Sequence, residues 1–144
     1  MTDKLLLTFN AGSSSVKIGI FRVDGERPER IGKAVVDFAS DPVSLHLKEG
    51  PAQFELSLEG ASGDDLAGLM DKVFGELSAH FDLDAVTSAG HRIVHGGDVF
   101  DGPVELTTAT VAKVRSLTAL APLHQPQALR MIEAVRHLRP DLFQ

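Results

Sequence analysis

The N-terminal part of the chain carries two strand patterns joined by a short polar turn, and this feature restricts the fold more than any other. The segment from Lys4 to Phe9 is almost entirely apolar, which is typical of a strand buried on both faces. Ser15 to Val23 instead alternates apolar and polar side chains with a period of two. A turn at Asp24-Gly25 leads to a third strand near Ile31 to Phe38. The sequence therefore predicts an antiparallel meander.

The rest of the chain alternates between strand and helix patterns. Two short strands, Val43 to Leu47 and Phe54 to Leu58, are separated by a Gly-Pro turn and resemble a hairpin insertion. Apolar residues then recur at helical spacing from Leu66 to Leu77, behind two aspartates that suit the positive end of a helix. The remaining elements are a strand at Ala85 to Ala89 and helices at Thr107 to Leu117 and Gln125 to Leu138. This order predicts an α/β layer fold.

Composition excludes several classes of protein. The 144 residues, 43% apolar and 24% charged, suit one globular domain. The net charge of −6, spread without a long run of like charges, argues against a nucleic-acid partner. Cysteine is absent, so disulfides and thiolate metal sites are excluded, and the first apolar run is too short for a membrane span. We therefore expect a cytoplasmic protein that binds neither nucleic acid nor membranes.

The turn NAGSSSVK, residues 10–17, has the composition of an anion-binding loop. Glycine and small hydroxyl residues allow backbone N–H groups to approach a phosphate closely. Ser13, Ser15 and Lys17 share one side of the strand if it begins at Ser13. A Walker P-loop is excluded, because its lysine must open a helix and this lysine enters a strand. Taken alone, the spacing of the segment favours an ordinary polar hairpin turn over a phosphate-binding loop.

The segment GHRIVHGG, residues 90–97, places an arginine between two histidines. Arg92 is a candidate anion clamp, because a guanidinium binds carboxylate or phosphate through two parallel hydrogen bonds. His91 and His95 have the spacing of zinc ligands on a helix, but β-branched and glycine neighbours argue against a helix here. The alternative makes His91 a packed, hydrogen-bonded histidine and Arg92 part of a surface ion pair.

The segment APLHQP, residues 121–126, holds Leu123 and His124 between two prolines. Proline restricts the backbone, so an apolar side chain beside a histidine here could form one wall of a small-molecule pocket. The same segment could equally be a connector between two helices.

Taken in order, N-x-G-S-S-S-x-K, GHRIVHGG and APLHQP resemble the acetate kinase family, the acetate/propionate kinases. The resemblance covers essentially the whole chain, but only the N-terminal portion of such a kinase. It implies the ribonuclease-H-like ATPase fold of the actin, sugar-kinase and heat-shock-chaperone type, with a mixed sheet, an antiparallel N-terminal meander and flanking helices. It also implies reversible, Mg-ATP-dependent phosphorylation of acetate to acetyl phosphate.

The resemblance assigns a role to each candidate residue. Asn10 matches a position near the Mg²⁺ ion, and Ser13, Ser15 and Lys17 match positions that bind the ATP phosphates. Arg92 matches the arginine that holds the acyl carboxylate and the developing phosphoryl charge. The remaining matches are Val94 and Leu123, on the walls of the pocket for the acetate methyl, and His124, which lines the active site.

The resemblance also implies what residues 1–144 lack. A complete member continues with a strand ending in an F-D-T-A-F-H-like motif, an adenosine-binding domain and most of a homodimer interface. We therefore expect an incomplete N-terminal domain with negligible kinase activity and weak or no ATP affinity by itself. The alternatives are a non-catalytic binding module that keeps the fold, a propionate-preferring kinase, or another carboxylate or sugar kinase of the same superfamily.

Overall fold

A mixed six-stranded sheet forms the centre of the molecule. The computed structural model describes residues 4–23, 25–94 and 96–144. The strands are β1 (Leu5–Ala11), β2 (Ser15–Arg22), β3 (Glu29–Asp37), β4 (Val43–Glu49), β5 (Ala52–Leu58) and β6 (Val86–His91). Their order is β5-β4-β3-β2-β1-β6, in which β1 to β5 are antiparallel neighbours and β6 pairs parallel with β1. The predicted antiparallel meander is therefore confirmed.

Three α-helices follow the meander in the described residues, and side-chain caps explain where the first two begin. They are α1 (Leu66–Leu77), α2 (Thr108–Ser116) and α3 (Gln125–Leu138). The Asp65 carboxylate caps α1 by accepting a hydrogen bond from the Gly68 N–H at 3.0 Å. Thr107 and Thr110 form a reciprocal capping box at the start of α2.

One face of the sheet is buried beneath α1 and α3, and we call it the covered face. Alternate residues of β1 to β4 point into this core, as the period of two requires. Strand residues with 2% exposure or less include Leu7, Phe9, Val16, Ile18, Ile20, Ala34, Val36, Leu45 and Leu47. A smaller cluster of Val111, Val114, Leu129 and Ile132 joins α2 to α3. The residues between these strand positions point to the opposite face, which we call the open face.

The structure refines two of the predicted elements. The hairpin of β4 and β5 is not a separate insertion, because β4 pairs with β3 and continues the same sheet. Strand β2 begins at Ser15, as the alternation predicts, and ends at Arg22 instead of Val23, so Ser13 lies in the turn before the strand. Asp24, half of the predicted second turn, lies outside the described residues.

The last residues of the chain pair with the outer edge of β6. Phe143 forms a parallel bridge with Ser88, through hydrogen bonds to Thr87 O at 3.2 Å and from the Ala89 N–H at 2.8 Å. Gln144 O accepts a hydrogen bond from the Leu106 N–H at 2.7 Å. These bonds hold the C-terminal residues beside the segment that leads to α2.

In the part of the chain that the structure describes, no helix is both long and apolar enough to cross a membrane.

Candidate active site

The carboxyl ends of β1 and β6 and the beginning of β2 meet at one end of the sheet. Asn10 on β1 pairs with Lys17 on β2. On its other side, the Arg92 N–H donates a hydrogen bond to Phe9 O at 3.0 Å, which extends the pairing of β1 and β6 by one step. Lys17 and Asn10 are therefore cross-strand neighbours, and Arg92, the first residue after β6, lies next to them; we call these three residues the polar row. With neighbouring strands about 4.8 Å apart, the two cations have Cα atoms about 10 Å apart.

The alternation of side chains places this row on the open face. Phe9 and its partner His91 point toward the covered face, where Phe9 is buried and the two rings stack. Asn10 and Arg92 each follow by one residue, so their side chains leave on the other side. Asn10, Lys17 and Arg92 are all exposed. A dissolved anion can thus reach all three side chains.

The serine-rich turn continues from this row. The Gly12 N–H donates to Ser15 O at 2.8 Å and closes the turn, and Ser14 O accepts from the Phe38 N–H at 3.0 Å. Ser15 lies two residues before Lys17 on β2 and shares its face, whereas Ser13 is exposed in the turn. Because β2 does not begin at Ser13, the turn places Ser13 near Ser15, and strand alternation does not.

The polar row makes few side-chain bonds within the chain. Among the described residues, no hydrogen bond or ion pair engages the side chain of Asn10, Lys17 or Arg92. The alternative in which Arg92 belongs to a surface ion pair therefore has no partner among those residues. Two cationic side chains on either side of an amide, with their donors unused, can bind an anion without first breaking an internal bond.

His91 is a packed histidine, as one interpretation of the sequence held. Its ring stacks on Phe9 with centroids 5.2 Å apart and an angle of 17° between the planes. Its Nε2 lies 2.6 Å from the side-chain oxygen of Gln144. Burial lowers the pKa of His91 to about 4, despite the hydrogen bond to Gln144, which acts in the opposite direction. The imidazole is therefore neutral at neutral pH.

The three residues expected around an acyl group are on the surface. Val94 is 48% exposed and Leu123 is 77% exposed, and His124 is exposed at the beginning of α3. Gly97, at a φ of +55°, brings the loop after β6 against Leu117 and Leu120; a Cβ there would lie 2.8 Å from Leu117 Cδ2. This packing places the loop against residues that precede the APLHQP segment, and no described contact joins Val94 to Leu123. Their role as pocket walls stays a prediction.

A cleft of about 650 Å³ opens beside the outer edge of β6, and the sequence analysis did not predict it. Its lining includes Ala89, His91, Ile93, Leu106, Phe143 and Gln144. None of the predicted site residues belongs to this lining. The cleft depends on contacts between residues far apart in the chain, such as His91 and Gln144, which no short motif reveals.

The described residues do not form a protein-held metal site. No group of three or more histidine, cysteine, aspartate or glutamate side chains among them could hold a metal ion. The zinc alternative loses its structural basis because His91 ends a strand instead of lying on a helix, and His95 lies outside the described residues. The oxygen donors among the predicted site residues are the neutral groups of Asn10, Ser13 and Ser15, and one carboxylate, that of Asp37, lies opposite Ser15 on β3. Such donors fit a Mg²⁺ ion that is already bound to phosphates and water.

Comparison with solved structures defines the class of the fold. The chain superimposes on acetate kinase from Porphyromonas gingivalis with a TM-score of 0.85 and 26% identity, over 98% of this chain and 36% of that one. It superimposes on a propionate kinase from Francisella tularensis with a TM-score of 0.82 and 28% identity, over 98% of this chain and 35% of that one. The fold is that of the small-carboxylate kinases, consistent with the ribonuclease-H-like ATPase architecture.

Sequence comparison identifies the family. Residues 5–144 match the model of the acetokinase family, and the chain belongs to that family. It is 36% identical over 149 aligned residues to acetate kinase from Rhodopseudomonas palustris strain TIE-1, which covers 100% of this chain and 36% of that protein. It is 36% identical to acetate kinase from Clavibacter michiganensis, over 96% of this chain and 35% of that protein. The chain thus spans about a third of the length of these relatives.

Proposed function

We propose that this chain supplies the phosphate-binding and carboxylate-binding part of a kinase that transfers a phosphoryl group reversibly between ATP and acetate. Membership of the acetokinase family supports the reaction class. The observation that carries the assignment of residues is the polar row, in which Lys17 and Arg92 flank Asn10 on the open face. In the proposal, Arg92 binds the acyl carboxylate and the developing phosphoryl charge, and Lys17 binds the phosphates with Ser13 and Ser15.

The chemistry of phosphoryl transfer suits such an arrangement. Acetate is already ionised at neutral pH, so it needs no general base to act as the nucleophile. The transition state is loose and spreads negative charge over the transferred oxygens, so catalysis consists mainly of positioning and charge stabilisation. Arg92 offers two parallel N–H donors to a planar carboxylate, and Lys17 offers a compact positive charge.

The metal in this proposal is Mg²⁺ that arrives with the nucleotide. When bound, Mg²⁺ neutralises charge on the phosphate oxygens. Asn10, at the centre of the polar row, is the residue that we propose faces the ion. The absence of a carboxylate cluster among the described residues is consistent with a metal held largely by phosphates and water.

We propose that Val94 and Leu123 contact the acyl methyl group and that His124 lines the same site. The exposed apolar side chains of Val94 and Leu123 support this assignment. Acetate is the proposed acceptor, although one of the similar structures is a propionate kinase. One methylene group changes discrimination by only about 1–3 kcal/mol, so propionate is the natural second substrate to assay.

We further propose that residues 1–144 are one incomplete domain of a longer, cytoplasmic, homodimeric enzyme, and that they are inactive by themselves. The relatives are nearly three times as long, and in the proposal the rest of such an enzyme binds the adenosine and completes the site. A colorimetric assay of acetyl phosphate formation tests this part. Turnover by residues 1–144 at rates typical of the full-length relatives would contradict it.

An NMR titration tests the polar row directly. The ¹⁵N-labelled chain is titrated with acetyl phosphate, which carries both the acyl and the phosphoryl group. We expect shifts at the amides of Asn10, Lys17 and Arg92. Arg92→Gln and Lys17→Gln should each weaken binding about tenfold, because hydrogen bonds to charged groups contribute about 1.5–3 kcal/mol.

The control is Lys33→Gln, which removes an identical charge from the open face outside the polar row. It should leave the affinity within about twofold, since exposed charges away from a site contribute little. Equal affinity in the unchanged chain, Lys17→Gln and Arg92→Gln would contradict the assignment. Absence of binding to acetyl phosphate by the unchanged chain would favour the non-catalytic module.

A further inference from the structure

We infer that His91 is a positioning residue, whose anchored side chain holds the backbone from which Arg92 reaches the substrate. The inference rests on the proposed function of Arg92. Strand β6 ends at His91. The Arg92 N–H bond to Phe9 O is the last described link between β6 and β1, and beyond it the chain leaves the sheet. The arginine side chain has many freely rotating bonds, so the position of its backbone sets the region that the guanidinium can reach. Anchoring residue 91 therefore fixes the backbone from which the Arg92 side chain extends.

The imidazole of His91 is fixed from two sides. On one side it stacks on Phe9, which packs edge-on against Phe74 of α1 with centroids 6.4 Å apart. On the other side, Gln144 holds Nε2 and is itself tied by its carbonyl to the Leu106 N–H. The ring thereby joins β1, α1 and the segment before α2. These are three separate elements, so rotation of the ring would disturb all of them.

The protonation state of His91 suits this role. The side-chain oxygen of Gln144 can only accept a hydrogen bond, so the Nε2–H of His91 is the donor. A neutral ring adds no positive charge next to Arg92, and like charges at adjacent residues would repel each other. His91 therefore orients the neighbouring backbone without competing with Arg92 for an anion.

His91→Phe tests the inference, because it keeps an aromatic ring against Phe9 and removes the donor to Gln144. The matched control is His80→Phe. His80 is also half-buried, bonds to Glu49 at 3.1 Å and packs on Phe54, but it lies at the opposite edge of the sheet. Both variants lose one histidine hydrogen bond, so a merely structural effect should appear in both.

Two measurements on the complete 144-residue chain separate the outcomes. The first needs no ligand: hydrogen exchange of the Arg92 amide, normalised to global stability, should be about tenfold faster in His91→Phe and unchanged in His80→Phe. The second is the affinity for acetyl phosphate, which should fall about fivefold in His91→Phe alone. Unchanged exchange at Arg92 in His91→Phe, or equal effects in both variants, would overturn the inference.

The two proposals can fail separately. If the unchanged chain and Arg92→Gln bind acetyl phosphate equally poorly, the proposed function fails, while the exchange measurement still decides whether His91 positions the backbone. If Arg92→Gln abolishes binding and His91→Phe changes neither exchange nor affinity, the proposed function stands and the positioning role is wrong.

Discussion

The two faces of the sheet use the same strands for different purposes. On the covered face, Leu45 and Ile18 are completely or almost completely buried under helices. One residue away on the open face, His46 and Lys17 are exposed to solvent. Because side chains alternate with a period of two, stability and the proposed chemistry depend on interleaved residues of the same strands. Substitutions at adjacent positions should therefore affect different properties.

The largest difference in stability is expected between substitutions at two adjacent residues of β4. Leu45→Ala removes a fully buried side chain and should lower the free energy of unfolding by about 2–5 kcal/mol, through lost burial and the cavity left behind. His46→Ala, on the open face, should change it by less than about 0.5 kcal/mol. Urea unfolding followed by circular dichroism measures both. Comparable losses in the two variants would refute the assignment of faces.

The next largest loss of stability is expected where side chains pack closely on the covered face. A Cβ at Gly32 would lie 2.3 Å from the ring of Phe81, so Gly32→Ala should destabilise the protein by about 1–3 kcal/mol. The double variant Gly32→Ala/Phe81→Leu should recover part of that loss, because the smaller side chain makes room. Additive losses in the double-mutant cycle would mean that the ring does not cause the effect.

A titratable group at the edge of the covered face makes stability depend on pH. The pKa of His91 falls to about 4 in the folded chain, against an ordinary value of 6.5, so the unfolded chain binds more protons between these values. The contribution of His91 to the free energy of unfolding is therefore complete above pH 6.5 and is lost as the pH falls toward 4. Between pH 7 and 5 we expect a loss of about 1–2 kcal/mol that is absent in His91→Phe. Parallel pH profiles for the two chains would contradict this expectation.

The smallest effect on stability is expected in the polar row. Lys17→Gln should change the free energy of unfolding by less than about 0.5 kcal/mol, because the side chain is exposed and has no ion pair among the described residues. The same variant should weaken acetyl phosphate binding. A thermal melt beside the NMR titration measures both properties. A marked loss of stability would show that Lys17 also supports the fold.

Periodicity was enough to predict most of the fold. The helices at 66–77 and 125–138 match their predicted bounds, because apolar spacing, the aspartate cap of the first helix and the proline at the start of the second are local signals. Strand ends were less accurate: β6 runs to His91 instead of Ala89, since pairing with β1 extends a strand beyond its apolar residues. Family resemblance, confirmed by the comparisons, supplied the rest of the architecture.

The candidate site was only partly accessible from the sequence. Motifs indicated Asn10, Lys17 and Arg92, but their common row depends on the pairing of three strands. The packing of His91 on Gln144 joins residues 53 positions apart, so no local pattern could choose between a packed and a metal-binding histidine. The roles of Val94, Leu123 and His124 still depend on the proposed reaction.

The parallel pairing of β6 with β1 has a consequence for the order of folding. Strands β1 to β5 join neighbours in sequence through short turns, whereas β6 reaches β1 only after α1 and a long excursion of the chain. Contacts between distant segments require an unfavourable loop closure and form more slowly than local ones. The five-stranded meander should therefore assemble first, and Arg92 joins Asn10 and Lys17 only when β6 docks. A folding intermediate of this chain would carry two residues of the polar row, Asn10 and Lys17, and acquire the third, Arg92, in its last step.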